Sequence, residues 1–470
     1  MIRATAAFAL AFLLAAPAVA EPKLKQSFTG PAAVAAQLRD KALDDPLAYD
    51  LVESLTTEVG PRLAGSPGAR RATEWGVAKL KALGFSNVRA EAYVTPVWAR
   101  GEESAEVTAP YPHKLVILGL GKTVPTPPGG IEADAVVFAS LAELMAQPPG
   151  SLNGKIAVVT QKMTLTMDGS GYGAAVRARA IGPSEAARRG AVAYLVRSIS
   201  TREDRLPHTG GLAYQANAPR IPAAALSPAD AALVERIAAR GKPVRIKLSL
   251  ASTSAQNGAA WNVVGEIPGR EKSSEVIVIG GHLDSWDPAT GAHDDAAGVA
   301  ITTAAAKLIG DLPRHPRRTI RVVMWGSEET GGAGGAYQSA HQAETDRTVL
   351  AGESDLGGDR SWALRLPRGS IDAPQLKDLP ALLAPLDIFI HREAATFGGS
   401  DTEEMQEAGV PVFNFAQDAT RYFDIHHSAD DTLEKIDPEQ LNQNVAAWAA
   451  LLYLVADSDI DFRALAAGNP

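Results

Sequence analysis

The chain has 470 residues, 46% of them hydrophobic and 21% charged, which is ordinary for a globular enzyme of two or three domains. Its net charge of -9 argues against a nucleic-acid partner. Because there is no cysteine, the chain has no disulfides, thiolate metal ligands or cysteine nucleophiles, so packing and metal binding must supply its stability.

The first twenty residues have the pattern of a secretory signal peptide. A basic start at Met1 to Arg3 precedes an apolar run from Ala6 to Ala16, which is too short to span a bilayer. The small-x-small sequence Ala18-Val19-Ala20 predicts cleavage near Ala20 and a bacterial protein that is secreted or periplasmic. No later stretch is long and apolar enough to predict a membrane span.

Residues 21–115 are predicted to form the N-terminal part of a catalytic domain. Apolar spacing predicts a helix over Pro31 to Leu55 and another over Ala69 to Leu83, separated by a turn-rich loop. Strands are expected at Val88 to Val97 and Ser104 to Val107.

Residues 116–255 are predicted to be an inserted domain, because a proline- and glycine-rich run at 124–130 marks a change of pattern. Short strands are expected at 135–138, 156–159, 191–196 and 221–226, and helices at 184–189 and 228–240. His208 in this insert is interpreted as a structural loop residue, and the alternative is a lid residue that reaches the active site.

Residues 256–470 alternate strands with helices, which predicts an α/β fold with a mixed, mostly parallel sheet and helices on both faces. The strands are expected at 276–279, 321–325, near 350 and at 411–415. The helices are expected at 295–309, 376–384, 401–408 and 437–456.

Polar residues with metal-binding side chains follow the strands at 276–279 and 321–325. They are His282, Asp284, Asp294, Asp295, Glu328 and Glu329. Open α/β sheets bind ligands just past the carboxyl ends of their strands, and mixed imidazole and carboxylate ligands suit zinc. Each residue alone could be structural, as a helix N-cap or part of a solvated turn. Their joint pattern predicts a two-metal site that activates water for hydrolysis.

At these residues the sequence resembles the co-catalytic di-zinc exopeptidases, a family that includes bacterial leucyl aminopeptidases, glutamate carboxypeptidase and carboxypeptidase Q. The family's metal motifs occur here in the family's order, at 282–284, 291–295, 328–329, Asp355 and His427. The segment Gly281 to Asp287 is most similar to carboxypeptidase Q and its bacterial relatives. The insert resembles a protease-associated domain, whose usual role is to cover or shape the substrate entrance.

The resemblance implies two zinc ions per chain. Asp294 would bridge them, His282 and Asp355 would complete one site, and Glu329 and His427 would complete the other. His427 is chosen over His426 because the family's ligand lies four residues before an Asp-Thr pair, here Asp431-Thr432. Two adjacent histidines are also not expected to point at one site.

Further roles follow from the same resemblance. Glu328 would be the general base, and Asp284 would hydrogen-bond the imidazole of His282. His426 occupies a position where several relatives carry a tyrosine that stabilises the tetrahedral intermediate. Ser400 and Asp401 lie where relatives bind a substrate terminus, although either could be a helix N-cap.

Two residues keep open roles at this point. His293 departs from the family pattern and could compete as a metal ligand. Asp295 could hydrogen-bond a metal ligand without binding the metal itself, or it could lie at the N-terminus of a helix.

The resemblance therefore implies a secreted zinc exopeptidase that hydrolyses dipeptides or short peptides with a free terminus. The alternatives are a broad-specificity aminopeptidase, a non-catalytic binding relative, and an acyltransferase of the same fold that uses one metal. The binding relative is disfavoured because all five ligands and the base are present. The partners expected are a peptide substrate and, as one option, a second copy of the chain.

Overall fold

The computed structural model describes residues 27–468, so the predicted signal peptide lies outside the described residues. The first elements of the described chain are α1 (Pro31–Ala42), α2 (Leu47–Ser54), α3 (Pro67–Ala82) and β1 (Ser86–Ala99). The prediction of one helix over Pro31 to Leu55 is wrong, because Pro46 separates α1 from α2. Proline disfavours the helical conformation in the residue before it and cannot donate a backbone hydrogen bond.

Residues 103–250 form a second group of elements. They are β2 (Glu103–Ala109), β3 (His113–Leu115), β4 (Ile117–Gly119), β5 (Ile131–Phe138), α4 (Leu141–Met145), β6 (Ile156–Val159), α5 (Ser170–Ala180), α6 (Gly182–Arg188), β7 (Ala193–Arg197), β8 (Ala223–Leu226), α7 (Pro228–Ala238) and β9 (Val244–Leu250). Their strands make one sheet, the outer sheet, in the order β3-β2-β9-β5-β6-β7-β8-β4. This sheet begins at β2, ahead of residue 116, because β2 pairs antiparallel with β9. The domain limits at 115 and 255 stay predictions.

The remaining elements return the chain to the first group. They are β10 (Thr253–Ile267), β11 (Lys272–His282), α8 (Ala297–Gly310), β12 (Arg318–Trp325), α9 (Ala333–Ala340), β13 (Thr348–Glu353), β14 (Ser361–Arg365), α10 (Leu379–Leu383), β15 (Phe389–Ile390), α11 (Glu403–Glu407), β16 (Asn414–Gln417), α12 (Pro438–Ala456) and α13 (Phe462–Ala466). The strands β15-β14-β16 make a small sheet.

The central sheet has the order β1-β10-β12-β11-β13 and is mixed, as predicted. It is not mostly parallel, because two of its pairings, β1–β10 and β10–β12, are antiparallel and two, β11–β12 and β11–β13, are parallel. After β1 the chain forms the outer sheet. It returns to the central sheet at β10, which starts beside the end of β1 and runs antiparallel to it.

Helices cover both faces of the central sheet, as predicted. Side chains alternate along β11, so Ile277 and Ile279 pack in the cluster that contains α1, α2, α8 and α12. Val276 and Val278 pack on the opposite face with residues of α9 and α11. Because β11, β12 and β13 are parallel, the residues that follow them meet at one edge of the sheet.

No helix within residues 27–468 has the length and apolar character that crossing a membrane requires.

Candidate metal centre

Asp294 lies between two histidines, one at each of its carboxylate oxygens. Its Oδ1 is 2.9 Å from Nε2 of His282, and its Oδ2 is 3.1 Å from Nε2 of His427. Oδ1 of Asp355 is 3.3 Å from Nε2 of His282, and Oε2 of Glu329 is 3.2 Å from Nε2 of His427. The structure thus gathers the five predicted ligands into two sets that share Asp294.

The fold explains why residues so far apart in sequence meet here. His282 ends β11, Glu329 follows β12 and Asp355 follows β13, so all three lie at the carboxyl edge of the parallel strands. Asp294 belongs to the turn that leads into α8, and His427 comes from the loop between β16 and α12.

The charges in this cluster compensate one another strongly. Burial favours a higher pKa for Asp294, but hydrogen bonds from His282 and His427 outweigh it and hold the pKa well below its usual range. The same contacts with carboxylates raise the pKa values of both histidines despite their burial. Burial, with the negative charge of Asp294 added to it, raises the pKa of Glu329 to about 7.

This arrangement fits divalent cations. Burial raises the pKa values of Asp355 and Glu329, because the protein places too little positive charge near these carboxylates to offset their loss of hydration. A bound cation would supply that charge. The buried Oε1 of Glu329 and Nδ1 of His427 have no hydrogen-bond partner among the described residues. Two imidazoles and three carboxylates form a donor set that suits zinc, and His282 to Asp355 and His427 to Glu329 would form its two halves.

Glu328 is placed beside the ligands rather than among them. Its backbone N–H donates to Oδ1 of Asp284 at 2.9 Å, and its side chain makes no ion pair within the described residues. Burial, followed by the negative charges of Asp355 and Glu329, raises the pKa of Glu328 well above its usual value. A carboxylate whose pKa is raised in this way suits proton transfer near neutral pH.

The predicted contact of Asp284 with His282 is made by a different atom. Nδ1 of His282 is 3.0 Å from the main-chain oxygen of Asp284, whereas the carboxylate oxygen Oδ1 lies 3.6 Å away, beyond a hydrogen bond. The carboxylate instead accepts the backbone N–H of Glu328. Asp284 therefore orients His282 through its carbonyl and positions Glu328 through its side chain.

The expectation that His426 and His427 cannot face one site is wrong. His427 has a left-handed backbone with φ of 61°, which turns the chain so that the two rings stack with centroids 3.5 Å apart. Nε2 of His426 is 3.8 Å from Oδ2 of Asp294, farther than Nε2 of His427. Burial and the nearby His427 hold the pKa of His426 well below its usual value, which leaves a neutral imidazole beside the ligands.

The structure gives the two open residues structural roles. His293 accepts the Gly358 N–H at Nδ1 (3.1 Å) and has Nε2 3.2 Å from the Lys435 carbonyl, so neither ring nitrogen is free to bind a metal. Asp295 accepts the N–H groups of His282 and Gly298, each at 2.9 Å, and so joins the end of β11 to the start of α8.

Asp401 also has a structural role in this structure. Its Oδ1 accepts the Gly334 N–H at the start of α9 (2.8 Å), and its own N–H donates to Oε2 of Glu353 at 2.8 Å. Burial raises the pKa of Asp401 to about 8. It therefore contacts the start of a neighbouring helix. Ser400 makes no side-chain hydrogen bond within the described residues, and both Ser400 and Asp401 remain predicted substrate-binding residues.

Sequence reasoning missed the residues that hold these loops. Arg62 is fully buried and donates to the carbonyls of Leu283, Thr290 and Gly291, which frame the turn before Asp294. Asp431 accepts the backbone N–H groups of His293 (2.7 Å) and Asp294 (3.1 Å). The signal for Arg62 was its place in the turn-rich loop between the first two predicted helices.

The outer sheet contributes a buried segment, 208–211, to the centre. Nδ1 of His208 is 2.6 Å from the carbonyl of His426, and the Thr209 N–H donates to the carbonyl of His427 at 3.0 Å. Arg179 of α5 fixes this segment by donating to the carbonyls of Thr209 (3.3 Å) and Gly211 (3.2 Å). His208 is thus buried and reaches the centre, where it contacts the backbone of His426. Its assignment as a structural residue stays a prediction.

Gly210 provides a test of the role of this segment. Its φ is +126°, and a Cβ there would overlap the Arg179 guanidinium and come within 2.7 Å of Nδ1 of His427. We expect Gly210→Ala to displace His427 and to lower kcat/KM by about 10- to 100-fold, because small misplacements of reacting groups are costly. Gly241→Ala is the control, since Gly241 also has a positive φ (+72°) but open space around it. Equal activities of the two variants would contradict the proposed role of the segment.

The known proteins that are similar to this chain include several peptidases. Residues 262–452 match the model of Peptidase family M28. The chain is 38% identical to carboxypeptidase Q of Bos taurus over 411 residues, which cover 87% of this chain and 85% of that protein. It is 23% identical to aminopeptidase YwaD of Bacillus subtilis over 91% of this chain and 89% of that protein.

Solved structures show the same fold. A peptidase M28 precursor from Shewanella amazonensis superposes with a TM-score of 0.89 at 43% identity, over 92% of this chain and 98% of that one. A zinc aminopeptidase from Bacillus subtilis superposes with a TM-score of 0.63 at 18% identity, over 88% of this chain and 95% of that one. The second likeness concerns the fold alone.

Proposed function

The chain belongs to Peptidase family M28 and is a metallopeptidase, and from this premise we propose that it is a zinc exopeptidase acting on dipeptides or short peptides with a free terminus. The proposal includes two zinc ions per chain. The observation that carries it is the position of Asp294, whose two oxygens lie at 2.9 Å and 3.1 Å from two different histidines. A carboxylate shared in this way is what a bridged pair of metal ions requires.

Zinc, when bound, acts as a Lewis acid that makes water nucleophilic near neutral pH. The side chains around it would divide the remaining work. Glu328 would take the proton of the attacking water and deliver it to the leaving amine. His426 would donate a hydrogen bond to the substrate oxygen as negative charge develops there. Asp284 would keep both His282 and Glu328 in position through the contacts described above.

The outer sheet supports the preference for short substrates. We propose that residues 116–255 form the protease-associated-like insert, because the segment 208–211 crosses from this sheet to the backbone of His426 and His427. Chain placed beside the ligands in this way restricts the length of peptide that can enter. We also propose that the protein is exported after cleavage near Ala20, on the sequence pattern of residues 1–20.

We expect the purified enzyme to hydrolyse a dipeptide with free termini at least about 10-fold faster than its doubly blocked analogue. Polar groups that bind a free terminus are left buried and unpaired when the terminus is blocked, which costs roughly 1–3 kcal/mol for each lost partner. The measurement is kcat/KM for both peptides on zinc-loaded protein. Equal rates, or efficient internal cutting of an unfolded protein, would show that the enzyme is not an exopeptidase.

A broad-specificity aminopeptidase is the second candidate, because the similarity to aminopeptidase YwaD covers 91% of the chain. Amino-acid anilides, which have a free amine and no carboxylate, separate the two candidates. Rapid hydrolysis of several anilides would favour the aminopeptidase.

A further inference from the structure

A cavity of about 290 Å³ lies between the central and outer sheets, beside the metal centre. Its walls combine apolar or aromatic groups with two cations, and they include Trp98, Leu212, Tyr214, Lys122, Arg220 and Thr330. Thr330 directly follows the ligand Glu329, so one wall of the cavity is continuous with the centre. The volume is at the lower end of those that bind small ligands.

Neither cation of this cavity forms an ion pair with a described residue. Within residues 27–468, neither Lys122 nor Arg220 has a carboxylate oxygen within 4.0 Å, and no Asp or Glu lines the cavity. Arg220 instead lies over the ring of Tyr214, with its guanidinium carbon 5.7 Å from the ring centroid. Both cations are exposed to solvent at the cavity, and two unpaired cations side by side in a protein of net charge -9 favour the binding of an anion there.

The cavity lies on the side of Glu328. Thr330 of the cavity wall follows Glu328 by two residues. The charge of Glu328 is also felt at Lys122, where desolvation lowers the pKa and the negative charge of Glu328 opposes that shift. Gly211 directly precedes Leu212 of the cavity wall. A Cβ placed on Gly211 would lie 3.5 Å from the main-chain oxygen of Glu329, so this wall also lies close to that ligand.

This placement identifies which part of a substrate the cavity would receive. In the proposed mechanism Glu328 delivers a proton to the leaving amine, so the residue on the carboxyl side of the cleaved bond must lie next to Glu328. If that residue is the last of the peptide, it carries a free carboxylate. A carboxylate is the anion that Lys and Arg side chains bind through charge-assisted hydrogen bonds.

We propose that Lys122 and Arg220 bind the free carboxy-terminal carboxylate of the substrate, while Trp98, Leu212 and Tyr214 contact the side chain of the same residue. The inference rests on the proposed function and deepens it, because it assigns the enzyme to substrates that end one residue after the cleaved bond and prefers an apolar residue there. Dipeptides fulfil both conditions.

The test compares alanyl-leucine with alanyl-leucinamide, which differ only in the charge of the carboxyl end. Wild-type enzyme, Lys122→Met and Arg220→Gln are assayed with both peptides, after thermal unfolding has shown that each variant is folded. Lys81→Met is the matched control, because Lys81 is exposed on α3 and makes no ion pair within the described residues. Wild type should prefer the acid by about 10- to 100-fold in kcat/KM, the range expected for hydrogen bonds to a charged group.

Both cavity variants should lose most of this preference through a higher KM for the acid, while kcat/KM for the amide changes less than about threefold. The control should behave as wild type. The proposal is overturned if wild type does not discriminate, or if both cavity variants keep the wild-type ratio of acid to amide.

A binding measurement tests the carboxylate site without relying on the proposed exopeptidase activity. Leucine and leucinol, which has a hydroxymethyl group in place of the carboxylate, contain no amide bond that the enzyme could hydrolyse, so their binding to zinc-loaded protein is measured by calorimetry. Tighter binding of leucine that disappears in Lys122→Met, in a protein that cleaves neither dipeptide nor short peptide, would keep the carboxylate site and reject the proposed exopeptidase activity. Equal binding of the two ligands would overturn the carboxylate site whatever the activity.

Discussion

Glu328→Gln is expected to retain its metal ions and to lose about 10²- to 10⁴-fold in kcat, the usual contribution of a general base. Glutamine has nearly the same shape as glutamate but cannot accept a proton at neutral pH. The backbone N–H of Glu328, which donates to Asp284 at 2.9 Å, is unchanged by the substitution, so the loop after β12 should keep its conformation. The loss should therefore appear in turnover and not in metal content.

The experiment measures kcat and zinc content on the same preparation. Glu407→Gln is a suitable control, because Glu407 is exposed at the end of α11 and makes no ion pair within the described residues. A Glu328→Gln variant with activity near that of wild type would remove Glu328 from the role of base. A variant that loses zinc would instead indicate that Glu328 is a ligand.

Two of the five ligands were predictable because each follows the end of a strand. A parallel sheet collects the residues after its strands at one edge, so His282 and Glu329 could be expected to meet once the strands were recognised. The order of the motifs along the chain, and their similarity to a known family, then supplied Asp294, Asp355 and His427. Local sequence was sufficient for His282 and Glu329 because their neighbours in space are set by strand pairing.

The supporting contacts could not be predicted in this way. Arg179 reaches the segment 208–211, and that segment reaches His426 and His427 more than two hundred residues further along. Nothing in the local sequence around Arg179 or His208 indicates which loop will pack against it. Such contacts depend on how the outer sheet docks on the central sheet.

The antiparallel pairings of the central sheet were not predicted from the sequence, for a related reason. Strand pairing depends on where the chain re-enters after the outer sheet, and β10 re-enters next to the end of β1. Periodicity identifies strands but does not give their direction. The adjacent histidines were misjudged because a left-handed backbone at His427 cannot be inferred from a non-glycine residue.

Asp294→Ala is expected to lose both metal ions, from about two per chain to near zero, and with them all measurable activity. The two oxygens of Asp294 separately face His282 and His427, so the two halves of the centre share this side chain. By contrast, His282→Ala and Glu329→Ala each remove a group from one half, and each should lose chiefly one ion. Metal content by elemental analysis distinguishes these outcomes.

Asp372→Ala serves as the control for a lost carboxylate, because Asp372 is exposed and makes no ion pair within the described residues. Thermal unfolding of the metal-free proteins checks that Asp294→Ala still folds, since the Asp294 N–H bond to Asp431 does not involve its side chain. Two ions in Asp294→Ala would place the bridge elsewhere. Asp295 is poorly suited to replace it, because each of its carboxylate oxygens already accepts a backbone N–H at 2.9 Å. Because two histidines share Asp294, we expect Asp294→Ala to remove the metal from both halves of the centre. His282→Ala and Glu329→Ala should each remove the metal from one half.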